Sequence, residues 1–168
     1  MSLYAEHLAI PTKEFQRIQA TRGNLFDLWE KLSENKVFPR SVIGESWLSL
    51  HFVLTGKIAV FPLEGSVLSQ AIMGADTLIS LVDSNTHLGS IPAEKIPPIV
   101  AELDKVNIEV LFATADFSQL ATAQICSDLR PSEDPTELGR HLQVALKNLQ
   151  AFYRKATEKN YGVLVAIS

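Results

Sequence analysis

The chain has 168 residues, of which 46% are hydrophobic and 20% are charged, so it can bury one substantial core and is not disordered over any long span. Its net charge of −4 comes from interspersed acids and bases, which argues against binding to nucleic acid or to a membrane surface. The single cysteine, Cys126, excludes an internal disulfide, and no stretch reaches the roughly 20 apolar residues of a membrane span. Because the start of the chain also lacks the pattern of a signal peptide, we expect a cytoplasmic protein.

The first predicted element is a strand over residues 3–10, in which Glu6 and His7 are consecutive. Successive side chains of a strand point to opposite faces, so one of the two is buried if helices cover both faces of the sheet. A buried carboxylate or imidazole needs a partner. We therefore expect this strand at an edge of the sheet, where neither side chain has to be buried.

Two helices and a connecting loop are predicted next. Thr12 is the expected N-cap of a helix over residues 13–20, and Asn24 is the expected N-cap of a second helix. Residues 35–44 contain a proline and a glycine and have the composition of a loop. The second helix has one apolar face, formed by Leu25, Leu28, Trp29 and Leu32.

Residues 45–54 predict a helix that is apolar round most of its circumference, and Gly56 is expected to end it in the left-handed conformation. Trp47 and His51 lie one turn apart on its inward face. We interpret Trp47 as a core residue, and His51 as a buried histidine with one ring nitrogen bonded to a backbone carbonyl or a carboxylate. The alternative is that His51 faces an open cavity and serves a ligand.

The middle of the chain combines a loop, two short strands and a helix broken by prolines. Residues 57–66 predict the loop, and the strands are expected in the segments TLISLVD and THLGSI. A helix that opens at Pro92 is expected to kink or restart at Pro97 and Pro98, because two consecutive prolines delete two hydrogen-bond donors. Residues 108–113 fit both a strand and a helix, so the pattern leaves both open.

A long helix and a strand close the chain. Asp134 is the expected N-cap, Pro135 occupies the first helical position, and a 3.6-residue apolar period continues to Ala156. Val163 to Ile167 is apolar without alternation, which is typical of a strand that helices cover on both faces. We therefore expect an interior strand at the end of a single domain over residues 1–168.

Four segments together resemble the YfbM-like bacterial family of unknown function: SWLSLHFVLTG, LSQAIMGADTL, HLGSIPAEKI and FYRKATEKNYGVLVAIS. The specific motif is W-x-x-L-H-x-x-L-T-G, and the likeness covers nearly the whole chain. The resemblance implies an α/β fold in which helices pack on a mixed β-sheet, arranged as a three-layer α/β/α sandwich. It favours the helical interpretation of residues 108–113, and it implies no activity. The pair Pro97 and Pro98 departs from the family pattern.

No local motif indicates a cofactor or a metal. The eight glycines form no phosphate-binding pattern, and no pair of histidines or cysteines has the spacing of a zinc site. A nucleophile elbow is also absent. We interpret Cys126 as a small apolar side chain, since free cysteines are usually buried.

The absence of motifs favours a non-catalytic interaction protein of the accessory or immunity type, which docks on another bacterial protein. The alternative is a small-molecule enzyme with dispersed residues, in which His51 works with Glu6 or Tyr4. Candidate binding residues for either function are Trp47, His51, Tyr4 and Glu6.

Overall fold

A computed structural model describes residues 3–119 and 134–168, so Cys126 lies outside the described residues. The described strands are β1 (Ala5–Ile10), β2 (Arg40–Gly44), β3 (Asp76–Ile79), β4 (His87–Ile91) and β5 (Gly162–Ile167). The described helices are α1 (Thr12–Ala20), α2 (Leu25–Ser33), α3 (Trp47–Thr55), α4 (Val67–Met73), α5 (Ile96–Asp104), α6 (Ile108–Thr114) and α7 (Pro135–Lys159).

The five strands form one sheet in the order β2-β1-β5-β4-β3, and all four pairings are antiparallel. The α/β class is confirmed. The expected mixture of parallel and antiparallel strands is not found among the described strands. A strand buries the same side chains in a parallel or an antiparallel pairing. Its hydrophobic pattern therefore does not indicate its direction relative to the neighbouring strands.

Helices cover both faces of the sheet, which gives three layers. The central strand β5 shows the division most clearly, because its side chains alternate between two cores. Val163, Val165 and Ile167 join the core under α3 to α7. Leu164 and Ala166 join the smaller core under α1 and α2. All residues of β5 are buried, so the predicted interior strand is confirmed.

The sheet has one strand more than the sequence predicted. Residues 35–44 contain β2 as well as a loop, and β2 occupies the edge of the sheet beside β1. The prediction that β1 is an edge strand is therefore wrong, and His7 is fully buried. Pairing with β1 decides the conformation of this short segment, because local propensity for strands is weak and depends on context.

The predicted ends of the helices are mostly found. The side chain of Asn24 accepts the Asp27 N–H, and that of Asp134 accepts the Thr136 N–H. Gly56 ends α3 in the left-handed region at φ 70°. Helix α1 begins at Thr12 itself, with Pro11 at the N-cap position.

The helix after Pro92 restarts, as expected. A 3₁₀ turn over Ala93–Lys95 precedes α5, and Pro97 and Pro98 lie in the first turn of α5. The N–H groups of a first turn have no partner within the helix, so prolines cost little there. The helical alternative for residues 108–113 is also correct, since they lie in α6.

Candidate functional site

Buried hydrogen bonds hold the short helix α4 against the sheet. Nε2 of His7 in β1 donates to the Ala71 carbonyl at 2.9 Å, and the Tyr153 hydroxyl of α7 donates to the same oxygen at 2.7 Å. Nε2 of His87 in β4 donates to the Met73 carbonyl at 2.6 Å. The last carbonyls of a helix have no partner within it, so these three side chains satisfy the C-terminal end of α4.

His51 connects α3 to the other end of α4. Its Nδ1 donates to the Lys57 carbonyl at 3.2 Å, so Nε2 is the acceptor and receives the Ser69 hydroxyl at 2.8 Å. The Ser69 oxygen in turn accepts the Leu63 N–H at 2.8 Å. The expected burial of His51 and its bond to a backbone carbonyl are both found.

Burial keeps these histidines neutral. Desolvation lowers the pKa of His7 from 6.5 to about 4, and the bond to Ala71 only partly opposes it. Desolvation also lowers the pKa of His51 and that of His87. A neutral imidazole with a serine hydroxyl at 2.8 Å is the pairing of a general base with a nucleophile. Here both side chains are fully buried and both make structural bonds.

The four predicted site residues do not form one site. Trp47 is only 2% exposed and belongs to the larger core. Glu6 lies on the α1–α2 side of the sheet, where it accepts from Arg40 at 3.2 Å, while His51 lies on the opposite side. Tyr4 is half-exposed, and its ring lies against Gly44.

An open groove runs between the edge strand β2 and helix α7. It encloses about 360 Å³, within the range of ligand pockets. Its lining consists of Pro39, Arg40, Ser41, Val42, Asn148, Ala151, Phe152 and Lys155.

The backbone of β2 is available along this groove. The Ala9 N–H donates to the Pro39 carbonyl, so alternate residues of β2 direct their N–H and C=O groups toward β1. By that alternation, the backbone groups of Arg40 and Val42 point away from β1, to the outer edge of the sheet. An unpaired outer edge is a template for another strand.

One residue that lines the groove carries an enclosed polar atom without a partner. Ser41 is 5% exposed, and its hydroxyl oxygen is enclosed and has no hydrogen-bond partner among the described residues. Ser41 lies directly opposite His7 in the ladder, so it points to the same face of the sheet and toward α7. The Arg40 guanidinium is directed elsewhere, since it donates to Glu6 and to the Ser33 carbonyl.

A second groove of about 440 Å³ lies between α6 and α7. Polar side chains at this groove pair with each other: Gln143 donates to Glu109 at 3.1 Å, and Arg140 lies 3.7 Å from Glu137. The groove at β2 is the better candidate, because the outer edge of a strand runs along it.

The residues of this candidate site were missed by the sequence analysis. Ser41 lay in a segment predicted as a loop, and Asn148 and Lys155 were ordinary polar positions of a long helix. The local signal was weak, because R-S-V-I contains two β-branched residues and no apolar–polar alternation, which does not separate a strand from a loop.

Within residues 3–119 and 134–168, no group of three or more metal-ligating side chains could hold an ion. In the same part of the chain, no helix has both the length and the hydropathy to cross a membrane.

Comparison with known proteins supports the resemblance found in the sequence. The family described as "Domain of unknown function (DUF1877)" matches residues 1–166. The crystal structure of YfbM from Escherichia coli, a protein of unknown function, is similar with a TM-score of 0.79 at 20% sequence identity. The alignment covers 98% of this chain and 99% of that chain, and it shows a shared fold. No curated protein matches the chain.

Proposed function

Because the chain belongs to the DUF1877 family, whose description assigns no activity, we propose a function from the geometry: a non-catalytic interaction protein that binds an extended segment of another protein along β2. The observation that carries this proposal is the outer edge of β2 beside the groove under α7. Peptides commonly bind by adding a strand to such an edge, where backbone bonds give affinity and flanking pockets give specificity.

The surface around β2 suits an added strand. Val42 is 42% exposed on the strand itself, and Tyr4 is 50% exposed at its far end. An added segment would bond to the backbone of Arg40 and Val42, and its alternate side chains would enter the groove. The other side chains of the segment would pack beside Val42. Val42 is therefore an exposed apolar side chain on this edge against which a bound segment can pack.

Selection from a displayed library of random ten-residue peptides tests this proposal. We expect wild-type protein to select peptides, and a bound peptide to slow hydrogen exchange at the Arg40 and Val42 amides. Val42→Pro should lose binding and stay folded, because its missing N–H faces outward from the sheet. Val42→Thr is the matched control, since it keeps the N–H and the branched shape, and it should bind like the wild type.

Two results would contradict the proposal. One is a selected peptide that binds Val42→Pro as tightly as the wild type. The other is exchange protection that lies away from β2.

We also propose that the protein acts in the bacterial cytoplasm, as an accessory or immunity-type partner. The similar structure comes from a bacterium, and a chain with a single cysteine does not depend on disulfides. Fractionation of the host cell with an antibody against the protein tests this location, and recovery outside the cytoplasm would refute it.

A small-molecule enzyme is the second candidate, and one observation favours it: the 2.8 Å contact of His51 with Ser69. Labelling by a fluorophosphonate distinguishes the two functions, since the probe forms a bond from the serine oxygen to phosphorus and releases fluoride. The interaction protein should show no label at Ser69. Labelling that disappears in His51→Ala would favour the enzyme.

A further inference from the structure

We infer that the segment that adds to β2 carries an apolar side chain, β-branched or aromatic, opposite Val42. There it packs on an apolar strip that Tyr4, Val42 and Gly44 form at the edge of the sheet. The inference rests on the proposed function and specifies the chemistry of the partner.

The available edge of β2 is short. At one end lies Pro39, which has no N–H to offer. At the other end the register with β1 shifts between Val42 and Gly44, and such a β-bulge interrupts regular pairing. Between these limits Arg40 and Val42 direct their backbone groups outward, so an added segment bonds regularly along about three residues. So few backbone bonds give modest affinity, and contacts between side chains must select the partner.

The apolar strip lies on the α1–α2 face of this edge. Val42 is opposite Glu6 in the ladder, and Tyr4 is two residues before Glu6, so Tyr4 and Val42 point to the same face. The Tyr4 ring lies over Gly44, where an added Cβ would be 3.2 Å from its Cε2 atom. A side chain opposite Val42 can therefore touch both the valine and the ring. Pairs of β-branched and aromatic side chains on neighbouring strands stabilise a sheet.

The charges beside the strip cancel each other. Arg40 donates to Glu6 at 3.2 Å and also to the Ser33 carbonyl, so its guanidinium is occupied. What Arg40 offers to a neighbouring strand is its aliphatic stem. A charged side chain on the segment would lose water or compete with this ion pair, whereas an apolar side chain loses no hydrogen bonds to water.

A second copy of this chain matches the strip less well. Two antiparallel β2 strands use all their outward backbone groups when Arg40 of each lies opposite Val42 of the other. That register places an arginine already bonded to Glu6 against each valine, where the strip favours an apolar side chain. The occupant that fits is a segment of a different protein.

Three capped peptides test the inference: Ac-Gln-Ser-Gln-X-Gln-Ser-Gln-NH₂ with X as Val, Ser or Asp. X is the only apolar residue of the Val peptide, so it sets the register on β2. Titration into isotope-labelled protein, followed by amide NMR shifts, gives the affinity of each peptide and the place where it binds. We expect the Val peptide to bind at β2 about fivefold more tightly than the Ser peptide, and the Asp peptide to bind more weakly than both.

Variants assign the preference to the strip. Tyr4→Ser should reduce the preference for the Val peptide to about twofold and leave the affinity for the Ser peptide unchanged, because Val42 remains. Phe61→Ser is the matched control, since Phe61 is an exposed aromatic residue in the loop before α4. It should keep the full preference. An undiminished preference in Tyr4→Ser would show that the ring does not take part, and the strip would be overturned.

The outcomes separate this inference from the proposed function. Equal binding of the three peptides at β2 would overturn the apolar strip and leave strand addition intact. If no peptide shifts the β2 amides, both are overturned. Sedimentation equilibrium of the protein alone tests the second copy: a dimer that dissociates in Val42→Pro would show that this chain itself occupies the edge, and the inference would be wrong.

Discussion

At the scale of single residues, buried histidines connect separate elements of the core by hydrogen bonds. His7, His51 and His87 are fully buried, and each bonds to a backbone carbonyl. A neutral imidazole can donate at one nitrogen and accept at the other, so a single ring can connect two elements. His51 does this between the Lys57 carbonyl and Ser69.

Truncation of His51 should therefore cost stability. We expect His51→Ala to lower the free energy of unfolding by roughly 1 to 3 kcal/mol, because the buried Ser69 hydroxyl loses its acceptor and the Lys57 carbonyl keeps only the Thr55 hydroxyl at 3.2 Å. His51→Asn should recover part of the loss. Urea unfolding measures both variants, with the exposed Val82→Ala as a control. A wild-type midpoint in His51→Ala would show that these bonds contribute nothing.

At the scale of elements, the position of α4 depends on a close approach between backbones. A Cβ at Gly89 would lie 2.0 Å from the Met73 carbonyl oxygen, and one at Gly74 would lie 2.8 Å from the Gly89 Cα. Two glycines at this contact allow the C-terminal end of α4 to reach β4, where His87 binds the Met73 carbonyl.

Gly89→Ala should force α4 away from the sheet. We expect a loss of about 3 kcal/mol or more in unfolding free energy, since neither backbone can move without breaking its own bonds. Gly23→Ala is the matched control, because a Cβ there meets nothing within 4 Å. Thermal and urea unfolding of both variants decide the matter. Equal stability of the two would contradict the close packing.

The three histidines also make the anchoring of α4 dependent on pH. Their folded pKa values lie below the unfolded value of 6.5, so the unfolded chain binds more protons in acid. The stabilisation is complete above pH 6.5 and decreases as the pH falls toward the folded values. For His7, with a folded pKa of about 4, the loss approaches about 3 kcal/mol.

Urea unfolding between pH 7.5 and pH 4.5 measures this dependence. We expect His7→Leu to flatten the curve below pH 6.5 by about 1.4 kcal/mol per pH unit, since one titrating group is removed while Tyr153 still donates to Ala71. An unchanged slope in His7→Leu would mean that His7 does not titrate on unfolding.

At the scale of the whole molecule, β5 contributes side chains to both hydrophobic cores. A charged residue in this strand therefore disturbs the packing of the sheet between its two helical layers. Val165→Asp should prevent folding, because Val165 is fully buried and a carboxylate has no partner at that position. Val42→Asp on the exposed edge strand should fold and is the matched control. Circular dichroism of the two variants is the measurement, and a folded Val165→Asp would refute the interior position.

The sequence alone determined the elements whose signals are local. The caps at Asn24 and Asp134, the glycine that ends α3 and the restart after Pro92 depend on backbone chemistry within a few residues. The unbroken apolar run of β5 required burial on both faces, so the interior strand was also predictable.

Only the tertiary structure decided the remaining features. It identified β2 as a strand, set the antiparallel direction of every pairing, and brought Ser41 of that strand beside Asn148 and Lys155 of α7. It also joined His7 and His87 to α4 and separated Glu6 from His51. Register, strand direction and burial of a polar side chain depend on partners far along the chain, and a hydrophobic pattern does not contain those partners.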